Sequence, residues 1–237
     1  MLDLYFNNKK IPHWIKVTDI REDILPSFDS DKYQTKFKNK KIIISYKFNR
    51  NKLIDLNKRA ELINWVKGDN FQESKLTLPG RQEYYYLAKV SDLSDIAGSI
   101  KKGQGTIEFT CYKTEYISSV EYRHMLNNNK PFKIIYSGDI DVYPKIIFKI
   151  KYQCNKIKLN FRNYKMNNFI EFNHSFNAND VLELNQETNK VLLNNSNVNM
   201  QIWHLLSKRN KLTNGENTYT LETSNVEVEI IYNSKFL

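Results

Sequence analysis

The chain has 237 residues, of which 41% are hydrophobic and 26% charged, and carries a formal net charge of +10. This hydrophobic content excludes wholesale disorder, and the length accommodates one large domain or, as we read it, two modest ones. No window reaches the roughly eighteen apolar residues needed to cross a bilayer, and no basic stretch followed by an apolar run opens the chain, so we expect a soluble protein made inside a cell.

Along the first part of the chain, Trp14, Ile15 and Val17 suggest a short strand, and residues 22–34 read as a polar loop around Pro26. Residues 40–48 form a strand on their β-branched and aromatic content. Residues 52–67 follow as an amphipathic helix, with Leu53, Leu56, Ala60 and Ile63 at helical spacing and Gly68 at the C-cap. The helix needs an apolar surface, which strands over residues 74–78, 84–90 and 106–112 would supply. Pro79-Gly80-Arg81-Gln82 has the residues of a tight turn, and residues 91–104 form a longer polar link. Together these make a small α+β domain with a β-sheet core and one main helix over residues 1–128, ending where Asn127-Asn128-Asn129 breaks both periodicities.

From residue 129 to 237 the pattern is two-residue alternation interrupted by Asn, Asp and Gly. Strands are expected at 132–136, 145–152, 156–161, 168–172, 181–184, 190–193, 217–222 and 226–232. Their number and spacing suit an all-β galectin-like or jelly-roll sandwich.

Residues able to carry chemistry are sparse. His13, His124, His174 and His204 show no metal-ligand spacing, which leaves only a zinc site assembled from distant segments. Asp139 and Asp141, between Gly138 and Pro144, read as turn-capping carboxylates, with calcium or acid/base work as the alternative. Cys111 and Cys154 read as buried free thiols or a single disulfide. Gly103-Gln104-Gly105 leads into a strand, so no helix N-terminus stands there to hold a phosphate. No serine or cysteine has a nucleophile's context. We therefore read the protein as not an enzyme, with no catalytic, cofactor-binding or metal residues and no cofactor.

Aromatic residues are plentiful, and Tyr84-Tyr85-Tyr86 places Tyr84 and Tyr86 on one strand face and Tyr85 on the other. At least one of these rings is expected outside the monomer's core, where it suits a protein interface; the alternative packs all three within the domain. Tyr152, Tyr164 and Trp203 are candidate platforms for carbohydrate. The net charge also raises nucleic-acid binding, but the lysines are scattered through the strands rather than gathered in a block.

Residues 78–90, Leu-Pro-Gly-Arg-Gln-Glu-Tyr-Tyr-Tyr-Leu-Ala-Lys-Val, and residues 103–113, Gly-Gln-Gly-Thr-Ile-Glu-Phe-Thr-Cys-Tyr-Lys, resemble the core of the siphophage distal tail protein family. Gly138-Asp139-Ile140-Asp141-Val142-Tyr143-Pro144 and the Asn214-Gly215-Glu216-Asn217 element extend the resemblance through most of the chain. Lys113-Thr114, where the family usually has Asp-Pro, and the basic run 208–211 depart from it. The resemblance implies a structural protein of the virion, made in the bacterial host cytoplasm. It would form a homo-hexameric ring that joins the tail tube to the baseplate, with a DNA channel through N-terminal ring domains and galectin-like domains outside. Expected partners are the tail tube protein and tail-associated or baseplate proteins, with weak contact to host-surface glycans. DNA would pass without specific binding, which requires the positive excess to face outward or be neutralised locally. The alternative is a carbohydrate-binding module for host attachment.

Overall fold

The computed structural model describes residues 3–29, 34–48, 56–68, 72–93, 103–126, 130–198 and 202–237. Two compact units divide the chain, one running to Ser119 and one from Val120 to Phe236. The Asn127-Asn128-Asn129 interruption, the start of the expected helix and most of the 91–104 link lie outside the described residues.

In the N-terminal unit, β1 (Tyr5–Phe6) and β2 (Lys9–Lys10) form a small hairpin. Asn7 and Asn8 turn it with positive φ, as a two-residue primed turn requires. β3 (Ile15–Asp29) and β4 (Gln34–Phe48) follow as a long antiparallel pair, then α1 (Leu56–Lys67), β5 (Ser74–Thr77), β6 (Tyr84–Leu93) and β7 (Gln104–Cys111). β4 pairs with β7, β7 with β6, β6 with β5, and β5 with β1. β8 (Tyr116–Leu126) begins in this unit, where Tyr116 to Ser119 carry its pairing with Tyr84 and Tyr85 of β6. Period-two alternation puts Ile42, Ile44, Tyr46 and Phe48 of β4 on the same buried face as Ile107, Phe109 and Cys111 of β7.

Three expectations change here. Residues 22–34 do not form a polar loop: their described part extends the arms of the β3/β4 hairpin, and Pro26 sits at a register shift, where an edge strand tolerates a missing N–H donor. α1 does not bury the Leu56, Ala60 and Ile63 face. Leu56 and Ile63 are exposed, and Leu62, Trp65 and Val66 are buried instead, with Trp65 packed edge-on to Phe6 at 5.9 Å. Residues 122–126, expected to belong to the interruption at the domain end near 122–130, instead continue strand β8. The helix stops as read, since Gly68 has φ +51° and its N–H donates to the Trp65 carbonyl.

The C-terminal unit is a sandwich. One sheet runs β15 (Ser196–Asn197), β14 (Lys190–Leu193), β13 (Val181–Asn185), β10 (Lys145–Ile150) and β17 (Val226–Phe236), with β17 continuing to β8. The other runs β12 (Asn167–Phe176), β11 (Cys154–Arg162), β16 (Gly215–Leu221) and β9 (Phe132–Tyr136). Ile146, Phe148 and Ile150 interleave with Leu159, Phe161, Phe172, Tyr219 and Val228 to fill the space between the sheets. Tight turns again use asparagine in the left-handed region, at Asn179, Asn189, Asn194 and Asn195. All eight strands expected from the alternation are present, with ends moved by a few residues.

The segment carrying Asp139 and Asp141 is extended rather than turned. Ile140 bridges to Lys235 and Val142 to Leu212. Gly138 is required where it stands, because a methyl group there would collide with the Tyr136 side chain and lie 2.7 Å from the Lys235 carbonyl oxygen. The Tyr136 hydroxyl donates to the Ile140 carbonyl at 2.6 Å and accepts from the Lys235 N–H at 3.1 Å.

Candidate assembly surface

The β3/β4 hairpin is the feature of the N-terminal unit that its own core does not absorb. β7 covers β4 only from Lys40 to Lys47, and among the described residues β3 pairs with β4 alone. Beyond the Ile24–Lys40 pair, the two arms therefore form a two-stranded ribbon. A two-stranded ribbon is at best marginally stable in water, and β3 presents an open edge of backbone donors and acceptors along 15 residues.

A polar cluster marks the place where this ribbon leaves the sheet. Glu22 of β3 accepts from Lys40 Nζ of β4 at 3.1 Å, from the Tyr86 hydroxyl of β6 at 3.0 Å and from Arg81 at 2.8 Å. Lys40 is almost fully buried, and its ammonium also stands 4.6 Å from the Tyr86 ring centroid. Partial burial opposes ionisation of Glu22, but hydrogen bonds from Lys40 and Tyr86 and the nearby Lys40 and Arg81 charges outweigh it and hold the carboxyl below its ordinary pKa. Burial pushes the neighbouring Cys111 thiol up to about 12, so it remains a thiol at neutral pH. The cluster joins β3, β4, β6 and the Leu78–Arg81 turn, in which Gly80 has φ +76°. Our sequence reading missed it, although a signal was present: Lys40 is in phase with Ile42 and Ile44, so its side chain had to enter the core side.

The tyrosine run alternates as read. Tyr84 and Tyr86 share Tyr116, edge-on at 5.2 and 6.0 Å, while Tyr85 lies half-buried beneath the Lys75 ammonium. The other candidate residues remain dispersed. His124 stacks on Tyr232, His174 meets Phe176 and His204 lies near Phe169. Asp141 is engaged by Lys165 at 3.0 Å. Cys111 and Cys154 are free thiols, the second only half-buried. Among the described residues no three His, Cys, Asp or Glu side chains gather as a metal-binding group, and no helix is long and apolar enough to cross a membrane. Trp203 packs edge-on to Phe172 at 5.4 Å and so covers the sandwich core, whereas Tyr152 and Tyr164 are exposed.

Many lysines are matched across strands. Lys41 with Glu108, Lys145 with Glu183, Lys156 with Glu171, Lys158 with Glu222 and Lys133 with Glu216 all lie within ion-pair distance. Each contributes at most about 1 kcal/mol and screens its own lysine at short range, while the net charge of +10 is carried by the remaining basic residues.

Residues 137–236 match the family model described as the siphovirus-type tail component, C-terminal domain. The C-terminal unit is thus similar, over nearly its whole length, to this tail-component family. The resemblance read in the sequence motifs is thereby borne out. The chain has the fold of SPP1 Dit (gp 19.1), with a TM-score of 0.77 at 13% identity and all of both chains covered; that structure is described as a paradigm of hub adsorption apparatus in phages infecting Gram-positive hosts. A chain of the phage p2 baseplate, in its activated conformation with Sr, matches at a TM-score of 0.55 and 8% identity, again over the whole of both chains. No curated protein sequence matches significantly.

Proposed function

We propose that this protein is a non-catalytic baseplate hub of a phage or phage-like tail. Six copies form a ring that joins the tail tube to baseplate proteins in the virion and leaves a channel for DNA. The observation that carries this reading is the β3/β4 ribbon, whose open edge and two-stranded end need a partner surface. In a closed ring each copy can offer this edge to a different patch on its neighbour, and cyclic closure then leaves no edge exposed. The N-terminal domain, residues 1–128, supplies the ring, and residues 129–237 form the galectin-like domain. In the ring domain the Lys41–Glu108 ion pair keeps that lysine from gripping DNA in passage. The protein is made in the host cytoplasm before assembly.

Light scattering over a concentration series, with negative-stain images of the same fractions, tests the reading. A species of about six times 28.2 kDa that images as an open ring is expected. Replacing residues 25–38 with a short turn should leave a folded monomer. Rings that persist in this variant, or a wild-type protein that stays monomeric with and without its tail partners, would overturn the proposal.

A second reading, recognition of host-surface carbohydrate by the C-terminal domain, is favoured by the exposed Tyr164 ring set among polar side chains.

A further inference from the structure

We infer that the groove between the β11–β12 turn and the start of β16 is a binding site for one unit of a neutral saccharide, an assignment that rests on the carbohydrate reading above and gives it a place. The groove is about 630 Å³ and is bordered by Arg162, Tyr164, Asn214, Glu216 and Thr218. Tyr164, 71% exposed, stands at the tip of the turn. Lys165, itself held by Asp141, lies 5.3 Å from the ring centroid and occupies one face, so stacking uses the other. An exposed phenol ring combines apolar area with a polar edge, which matches the apolar C–H face and hydroxyl rim of a pyranose.

The polar side chains provide both hydrogen-bonding senses. The exposed Arg162 guanidinium makes no side-chain hydrogen bond or ion pair among the described residues and is a ready donor. Asn214 spends its amide N–H on the Gly138 carbonyl, which leaves its oxygen to accept. Glu216 receives Lys133 at 2.9 Å and Thr218 at 3.4 Å and retains acceptor capacity. Sugar hydroxyls both donate and accept, so they can use this mixture.

The groove is also held in shape before any ligand arrives. Asn163 Oδ1 accepts from the N–H groups of Lys165 and Met166 and so fixes the turn, while its Nδ2 donates to Lys211 O and to Asn217 Oδ1, both at 3.0 Å. Asn217, fully buried, exchanges two hydrogen bonds with the Thr213 backbone and donates to Gly215 O. The two walls are thus tied together beneath the groove, which reduces the ordering cost of binding.

Saturation-transfer NMR and calorimetry on the full chain, with cellotetraose, maltotetraose, chitotetraose, galactobiose and rhamnose as probes, test the assignment. At least one probe should bind with a Kd of about 0.1–1 mM, the range expected of a single shallow subsite. Tyr164→Ala should weaken it at least tenfold, Arg162→Gln about threefold, and Tyr164→Phe little. Light scattering on the same samples should show the wild-type mass throughout. If no probe binds the wild type, the carbohydrate reading and this site fall together. If a probe binds but Tyr164→Ala leaves it unchanged, the reading stands and this groove is not the site.

Discussion

The two units treat their sheet edges in opposite ways. In the C-terminal sandwich the edge strand β12 is covered by its own chain: His204 donates its N–H to Glu171 O, Lys208 donates to Phe169 O, and Trp203 bridges to Phe172. At another edge, β15 is only two residues long. Among the described residues, the N-terminal unit instead leaves the 15-residue β3 with one partner and sends part of its hairpin past the third strand. A domain that covers its longest edge strand and keeps the others short can stand alone, whereas one that leaves a long edge open is built to be completed by another chain. The polar cluster of Glu22, Lys40, Tyr86 and Arg81 belongs to the second strategy, because it fixes the direction in which the open ribbon departs.

The contrast can be broken from the sandwich side. Gly138→Ala should destabilise the C-terminal unit by about 2–3 kcal/mol, because the added methyl meets the Tyr136 side chain and the Lys235 carbonyl, neither of which is a free side-chain end. Guanidinium unfolding followed at Trp203, the one tryptophan of this unit, should show the earlier transition, while signals from Trp14 and Trp65 stay in place. A common shift at all three would mean that the units do not unfold separately.

A smaller effect is expected at the base of the ribbon. Glu22→Gln should cost the N-terminal unit about 2 kcal/mol, less than a fully buried pair because the carboxylate is partly solvated. Since the folded pKa of Glu22 is depressed, its contribution is complete above the unfolded value, roughly 4.3, and is lost as pH falls through the folded value. Wild-type stability should therefore drop below about pH 4.3, and the Glu22→Gln variant should show a shallower acid limb. Equal acid slopes for both proteins in urea titrations at pH 3–6 would remove Glu22 from this role.

The smallest effect sharpens the view of the sandwich core. Tyr219 is fully buried and its hydroxyl has no hydrogen-bond partner, so burial raises its pKa far above the ordinary tyrosine value. Tyr219→Phe removes an unsatisfied polar atom while keeping the ring packed 4.8 Å from Phe161, and should leave the melting temperature unchanged or slightly higher. A clear drop in calorimetry would show that the hydroxyl is hydrogen-bonded in solution.

The same contrast explains what could be read from the sequence. In the sandwich, every strand buries one face against the other sheet, so Lys145 to Ile150 and Val226 to Tyr232 display their alternation directly. Among the described residues, 24–29 pair with a single strand and have no third strand to impose such a rhythm, which is why Pro26 and its charged neighbours resembled a loop. Along α1, two sets of apolar residues share helical spacing. Periodicity alone could not choose between the Leu56–Ile63 face and the one that Phe6 and Phe109 meet through Trp65. Of the candidate site, the exposure of Tyr164 was legible as a suggestion, but its neighbours Asn214 and Glu216 lie some fifty residues away and come beside it only through the pairing of β11 with β16.

Among the described residues, each non-glycine position with positive φ is an asparagine: 7, 8, 179, 189, 194 and 195. Asparagine tolerates this mirror-image backbone while giving the unfolded chain less freedom than glycine would. Such positions constrain the sign of a dihedral angle rather than the identity of a side chain. Asn, Gly and Asp can replace one another there at modest energy, while a β-branched residue cannot follow. Evolutionary drift at these turns should therefore look free to anyone comparing letters and restricted to anyone comparing torsions, which is one way for a fold to outlast its spelling.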